Sequence, residues 1–380
     1  MKQIRPIPYY TQMDDTRMKQ CAKALREALI PQIKRRLPMH NLSGLSHQAI
    51  IEYVAKWKKE YPHFFRSDIL KYYPNINPIH LVTQAQIAYR DLYGLEYVPK
   101  TFKDKFLTDM IHWIKSLPEG QGIPLGSSMS NIMASIGLVP ICLELKRKYN
   151  VKFIVFVDDL LVLCKSDYSA REVWDYLSAT LQNQYQLKLN IDKTYSGRFS
   201  KKAVTFCGWY FSGGYARIEQ HKYDQFKERI QECIKKSRKE NTRAFIKNIN
   251  RKIDGFGNYY KFGNVLKQFE ELDCFIRKEV RQWLSGNSHS KGYDNAGLEK
   301  LGLHRLETCY QKAHKTAKTN PMQPRLRSEK TFYNSEKPAA IDYGVLNQIA
   351  QTSEKLTVQN QQIIALLRQQ NRLLERIFNA

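Results

Sequence analysis

The 380-residue chain lacks the features that mark secreted, disulfide-bonded and membrane-spanning proteins. Its seven cysteines form no C-x-x-C pair, so neither a zinc module nor a disulfide framework is indicated, and a reducing compartment is expected. The first residues lack the apolar core of a signal peptide, and the longest apolar stretch, around 132–145, is too short and too interrupted to span a bilayer. These absences predict a soluble, cytoplasmic protein with no membrane partner.

Acidic residues are scarce relative to basic ones. The chain has 36 Asp and Glu against 61 Lys and Arg, which gives a net charge of +25 and an isoelectric point near 9.6. Such an excess predicts a polyanionic partner, either nucleic acid or an anionic membrane surface. The 12% aromatic content, with 23 tyrosines, favours a globular protein that contacts bases or sugars over a disordered basic tail.

Two adjacent carboxylates interrupt an apolar stretch at 153–164. The runs before Asp158 and after Asp159 predict two short buried strands joined by a turn. Two ionised groups at the turn of such a hairpin are costly unless a cation neutralises them. A metal site would explain the pair, although an isolated Asp-Asp pair lies more often in a solvated turn, and the rest of the chain decides between the two.

Hydrophobic periodicity predicts helices and strands in mixed order along the chain. We expect helices at 12–37, 47–60, 78–93, 102–117, 128–148, 169–184 and about 298–318. We expect strands at 64–70, 187–191 and 203–211. Residues 219–284 follow a helical and basic pattern, with 11 Lys and Arg against 4 Asp and Glu in 222–252.

The last 40 residues have a pattern of their own. Ten positions from Leu346 to Ile377 follow an unbroken 3,4 spacing, and seven of them are apolar. This is typical of a coiled-coil seam, in which Asn360 at a core position would fix the register and the oligomer state. A homo-oligomer joined through 341–380 is therefore expected, and a single amphipathic helix packed on its own domain is the alternative.

A third carboxylate belongs with the Asp158-Asp159 pair. Asp68 begins the stretch Asp-Ile-x-x-Tyr-Tyr, about 90 residues before that pair. A lone Asp at a strand end is often a helix cap, but this order and spacing resemble the palm of the reverse transcriptases, and the resemblance covers 1–284. It implies an α+β right-hand polymerase with reduced fingers, a palm with an antiparallel sheet and a helical thumb.

The resemblance also implies nucleotidyl transfer assisted by two Mg²⁺ ions. Magnesium prefers oxygen ligands, and two ions carrying four positive charges need several carboxylates. Asp68 and Asp158 would bridge the metals, Asp159 would complete the site, and Ile69 would add a backbone carbonyl. Tyr73 falls where the family places a bulky steric gate against the ribose 2′-hydroxyl, with a plain core aromatic as the alternative.

The segment 122–130 resembles the loop-to-helix motif that packs on the incoming base pair. Gly126 would let the backbone approach the nucleotide closely. The family usually has Gln where this chain has Leu125, and Pro where it has Asn131. An aliphatic residue at the first position is typical of the error-prone enzymes of diversity-generating retroelements.

Three further motifs complete the resemblance. Lys193 matches the lysine that protonates the pyrophosphate, with a surface lysine as the alternative. Phe206, Cys207 and Gly208 match the primer-grip turn. Arg5 matches the fingers arginine that holds the triphosphate, so we expect the chain to begin inside the fingers.

Residues 249–284 resemble the thumb of group II intron-type bacterial enzymes, whose basic face contacts duplex phosphates without reading sequence. The alternative is a generic solvated basic helix. The expected divisions are 1–60 fingers, 61–215 palm, 216–284 thumb, 285–340 linker and basic connector, and 341–380 coiled coil.

The resemblance implies an RNA-directed DNA polymerase whose partners are an RNA template, a DNA product and dNTPs. A small enzyme with a family-specific tail is most similar to defence-associated reverse transcriptases, which copy a dedicated non-coding RNA against phage. The alternatives are a diversity-generating retroelement enzyme, an untemplated or protein-primed DNA polymerase, and an RNA-binding scaffold with an inactive polymerase fold.

Overall fold

A computed structural model describes residues 12–95, 109–110, 113–114, 117, 122–237, 240–286 and 293–319. The chain divides into two compact units, Met1–Thr319 and Asn320–Ala380, and every described residue lies in the first. The predicted fingers residue Arg5 and the predicted coiled coil at 341–380 lie outside the described residues, as does most of the predicted helix at 102–117.

A four-stranded antiparallel sheet forms the centre of the first unit, with the strand order β2-β3-β1-β4. The strands are β1 (His63–Asp68), β2 (Lys152–Phe156), β3 (Asp159–Cys164) and β4 (Tyr195–Arg198). The predicted hairpin around Asp158 is confirmed as β2 and β3, which pair directly.

Both faces of this sheet are buried. Phe65 and Val162 lie in one apolar cluster, and their neighbours Phe64 and Leu161 lie in a second one. Successive side chains of a strand point to opposite faces, so a strand covered on both sides needs apolar residues throughout. This is why the residues of β3 after Asp159 are all apolar.

Helices pack on this sheet, on the side of the first cluster except for residues 47–57, which bury Ile50 and Val54 in the second cluster. They are α1 (Gln12–Arg36), α2 (His47–Trp57), α3 (Tyr72–Asn75), α4 (Pro78–Tyr93), α5 (Ser128–Gly137), α6 (Val139–Lys148) and α7 (Asp167–Tyr185). The prediction of one long helix at 128–148 was wrong. The helix is interrupted at Leu138, because Pro140 has no N–H to donate to the Ile136 carbonyl and its ring would clash with that oxygen.

The span Ser128–Lys148 is long and apolar enough to cross a membrane by length and composition, yet 72% of its apolar 18-residue window is buried inside the protein. A core position accounts for its apolar character equally well.

A second, three-stranded sheet consists of β5 (Val204–Phe206), β6 (Trp209–Ser212) and β7 (Tyr215–Ile218). The predicted strand at 203–211 is thus two strands, joined by a two-residue turn. Cys207 and Gly208 both have positive φ, 48° and 74°, as a type I′ hairpin turn requires.

The predicted strand at 187–191 was also wrong. The structure has an isolated bridge between Ile69 and Leu189, followed by a 3-10 helix at Ile191–Lys193. The Asn190 N–H donates to the Asp68 carbonyl at 2.7 Å, so the chain is tied to the end of β1 instead of extending the sheet.

The C-terminal part of the described chain is helical. Its helices are α8 (Gln220–Lys236), α9 (Thr242–Tyr260), α10 (Leu266–Leu284), α11 (Asn295–Lys300) and α12 (Leu306–Thr319). The helix predicted at about 298–318 is therefore two helices, and α12 packs on α9 and α10. Residues 295–319 thus belong to a packed helical layer, although they were predicted to lie in a linker and connector.

One buried carboxylate fixes the start of α12. Asp273 of α10 is 3% exposed, and its two oxygens accept the N–H groups of Leu306 and Glu307 at 2.9 and 3.0 Å. We expect Asp273→Ala to lower the free energy of unfolding by about 2 kcal/mol, because two helix-terminal N–H groups lose their acceptor. Urea denaturation followed by circular dichroism measures the change.

The matched control is Asp224→Ala, which removes an exposed carboxylate of α8 that accepts only from Gln220 among the bonds described. It should change the free energy of unfolding by less than about 0.5 kcal/mol. Equal losses in the two variants would contradict the capping role of Asp273.

Candidate active site

Three carboxylates come together at one edge of the four-stranded sheet. Asp68 is the last residue of β1 and lies directly opposite Asp159, the first residue of β3. Asp158 precedes Asp159 in the turn from β2. The Ile69 N–H donates to the Asp158 carbonyl oxygen at 3.2 Å, which ties the two segments together.

The turn between β2 and β3 is strained. Phe156 pairs with Asp159, so only Val157 and Asp158 form the loop, and Val157 adopts a φ of 60°. A β-branched residue rarely occupies this region, at a cost on the order of 1–3 kcal/mol. Such strain persists where the surroundings force it, and it fixes the position of Asp158 next to β1.

Burial and like charge act on the carboxylates together. Burial raises the pKa of Asp158, and the neighbouring charge of Asp68 raises it further. Burial also raises the pKa of Asp159, to about 7, although the Arg66 guanidinium opposes this shift. A bound cation would relieve both effects, since it favours the ionised carboxylates.

Arg66 is a site residue that the sequence analysis missed. Its Nη2 lies 2.9 Å from Asp159 Oδ1, and its Nη1 donates to the Lys193 carbonyl at 3.0 Å. A signal was present, because a residue two positions before Asp68 on a strand points to the same face. Arg66 therefore gives Asp159 a counter-ion within the protein.

Lys193 reaches the same site. Its Nζ lies 2.9 Å from Asp68 Oδ2, while its side chain remains 57% exposed. Asn190 donates to the same Asp68 oxygen at 3.4 Å. The 3-10 turn that replaces the predicted strand thus carries a lysine to the carboxylates.

The carboxylates fit Mg²⁺ by their chemistry, but they do not form a closed ligand set. In the described ranges, His, Cys, Asp and Glu side chains form no group of three or more that could hold a metal. Arg66 and Lys193 instead each bind a carboxylate. The Ile69 N–H donates to the Asp158 carbonyl, and the Ile69 carbonyl stays a predicted further oxygen donor.

Of the residues predicted to contact the nucleotide, Tyr73 is within electrostatic reach of Asp158. Tyr73 is 9% exposed, and burial together with the Asp158 charge raises its pKa to about 12. Its hydroxyl donates to Asn131 Oδ1 at 3.1 Å. Gly126 has a φ of 97°, which favours glycine, and Leu125 is 48% exposed.

The predicted primer-grip turn is held by the helical layer. The Tyr259 hydroxyl donates to the Cys207 carbonyl at 2.9 Å, and the Tyr260 hydroxyl donates to the Gly208 carbonyl at 3.3 Å. A Cβ on Gly208 would lie 2.7 Å from the Tyr260 hydroxyl. The turn after Phe206 therefore requires glycine at position 208. Its two carbonyls are anchored to α9 by the two tyrosine hydroxyls.

The raised pKa of Asp159 gives a testable pH dependence. Asp159 keeps its proton up to about pH 7 in the folded chain, whereas the unfolded chain loses it near the ordinary value of 3.8. Between these values the folded state binds more protons, so the stability contributed by this group falls as the pH rises. In EDTA, we expect the free energy of unfolding of wild type to fall by about 3 kcal/mol relative to Asp159→Asn between pH 4 and 8.

Urea denaturation at each pH measures this difference, and added Mg²⁺ should reduce it. Asp167→Asn is the matched control, because it alters an exposed carboxylate at the start of α7 that pairs with Arg171. A difference between wild type and Asp159→Asn that does not change with pH would refute the account.

Comparisons with known proteins agree with this geometry. A family profile described as reverse transcriptase (RNA-dependent DNA polymerase) matches residues 1–211, and one described as group II intron, maturase-specific domain matches 223–302. The chain has no significant match among curated proteins.

Solved telomerase structures show a distant similarity. Apo telomerase from Candida tropicalis is 12% identical with a TM-score of 0.44, over 80% of this chain and 56% of that one. Telomerase from Candida albicans in complex with a TWJ fragment of telomeric RNA is 13% identical with a TM-score of 0.40, over 78% and 54%. The chain thus spans about half the length of these structures, and at such TM-scores they carry no argument.

The family profile carries the assignment, because it matches more than half of the chain. The chain belongs to the reverse transcriptase family, the RNA-dependent DNA polymerases.

Proposed function

We propose that this chain synthesises DNA on an RNA template at the sheet edge formed by Asp68, Asp158 and Asp159. The observation that carries the proposal is the antiparallel register, which places Asp68 opposite Asp159 and beside the turn of Asp158. Two Mg²⁺ ions held by these carboxylates and the Ile69 carbonyl would activate the primer 3′-hydroxyl and stabilise the leaving pyrophosphate.

In this proposal Lys193 acts as the general acid. Its ammonium neutralises Asp68 at 2.9 Å, and its exposed side chain is free to turn toward a bound triphosphate. Arg66 holds the Lys193 carbonyl, so the base of that side chain stays in place while the ammonium moves. A proton from Lys193 would then pass to the pyrophosphate.

The remaining predicted residues would position the substrates. Tyr73 would exclude the ribose 2′-hydroxyl, the exposed Leu125 and the open backbone at Gly126 would contact the incoming nucleotide, and Arg5 would hold its triphosphate. The turn at 206–208 would place the primer end. The basic helices α8 and α9 would bind duplex phosphates without reading sequence.

For the biological role, we propose a cytoplasmic enzyme that copies a dedicated non-coding RNA in antiphage defence. The heptad pattern at 341–380 supports this role, because it indicates a self-associating tail outside the polymerase. Leu125 favours a second candidate, the error-prone enzyme of a diversity-generating retroelement.

We expect Asp158→Asn to lower DNA synthesis by at least about 10³-fold, because the loss of a metal-binding charge removes several kcal/mol of transition-state stabilisation. Incorporation of labelled dNTPs by full-length protein measures the effect. Asp175→Asn, on the exposed side of α7, is the control and should retain activity. Equal signals from wild type and Asp158→Asn would favour the inactive scaffold.

We expect deletion of 341–380 to lower the solution mass to that of a monomer, since the heptads would join subunits. The full chain has a mass of 44.7 kDa, so light scattering resolves a monomer from any oligomer. A full-length monomer, or an oligomer unaffected by the deletion, would leave the helix packed on its own domain as the better interpretation.

A further inference from the structure

The hydroxyl of Tyr73 is held by a side chain from another element. It donates to Asn131 Oδ1 at 3.1 Å, and Asn131 lies on α5, 58 residues further along the chain. We infer that Asn131 is a specificity-determining residue, which holds the Tyr73 ring in the orientation that excludes a ribose 2′-hydroxyl. The inference rests on the proposed role of Tyr73 as steric gate, and it adds the residue that sets the gate's selectivity.

The backbone of Tyr73 is fixed independently of Asn131. The Ile123 N–H donates to the Tyr73 carbonyl at 2.9 Å. Gly122 passes so close that a Cβ there would lie 2.1 Å from the same oxygen. A tyrosine with a fixed backbone still has two side-chain torsions. Packing in the core limits both for Tyr73, and the bond at the hydroxyl end fixes the ring orientation further.

The neighbouring tyrosine provides the contrast. Tyr72 is 2% exposed, and its hydroxyl donates to the backbone carbonyl of Ala134 at 2.7 Å. That bond anchors α3 to α5 whatever side chain stands at 134. The hydrogen bond of Tyr73 instead depends on the side chain at 131, so one substitution there removes it.

Asn131 also differs from its neighbours on α5 in its exposure. The other residues of α5 from Met129 to Gly137 are buried, whereas Asn131 is exposed. Tyr73 lies in α3, which closely follows Asp68 at the end of β1, and its hydroxyl is within electrostatic reach of Asp158. The exposed side chain of Asn131 thus binds the hydroxyl of the ring that, in the proposed function, faces the nucleotide sugar.

The test compares dTTP with UTP on full-length protein, using a poly(rA) template and an oligo(dT) primer, as the ratio of their kcat/KM values. We expect Asn131→Ala and Tyr73→Phe each to lower this ratio by about 3- to 10-fold, the loss of one hydrogen bond. The double variant should lower it no further, because both changes remove the same bond. Asn131→Asp keeps an acceptor oxygen and should preserve the ratio.

Tyr73→Ala separates this inference from the proposed gate. If Tyr73→Ala collapses the ratio while Asn131→Ala and Tyr73→Phe leave it unchanged, the positioning role is overturned and the gate stands. If Tyr73→Ala also leaves the ratio unchanged, the gate itself fails. Tyr73→Phe is nearly isosteric, so it reports on the bond even if Asn131→Ala is poorly folded.

Discussion

Burial of three neighbouring carboxylates at the edge of a sheet is the constraint on which the other features of the site depend. Asp68 and Asp159 face each other across β1 and β3, and Asp158 sits in the adjoining turn with a raised pKa. The protein offsets part of this charge with Arg66 and Lys193. The rest calls for a cation, and hard oxygen donors suit Mg²⁺.

Several side-chain contacts connect the carboxylates and the turn at 206–208 to neighbouring elements. Arg66 links Asp159 to the turn that carries Lys193, so one guanidinium holds two parts of the site. Tyr259 links the primer-grip turn to α9. Because these contacts run between different elements, a shift in the helical layer would move the turn at 206–208 relative to the carboxylates.

The features that depend on a local pattern could be predicted from the sequence, whereas those that depend on a contact with a residue distant in sequence were missed. The apolar runs around Asp158 predicted the hairpin, and hydrophobic periodicity predicted α4 and the helical character of 219–284, although it did not separate the three helices there. The alternation at 187–191 did not give a strand, because Asn190 is tied to the Asp68 carbonyl. The role of Arg66 could not be predicted with certainty, since its partner Asp159 lies 93 residues away in sequence and is brought close only by the sheet register.

The most direct test of RNA-directed synthesis is to sequence the DNA that purified full-length protein makes on a defined RNA of arbitrary sequence with an annealed DNA primer. The account predicts DNA complementary to the supplied RNA, made only with a divalent cation and dependent on Asp68. Homopolymer or random DNA made regardless of the RNA would contradict it, and would favour untemplated synthesis at the same carboxylates.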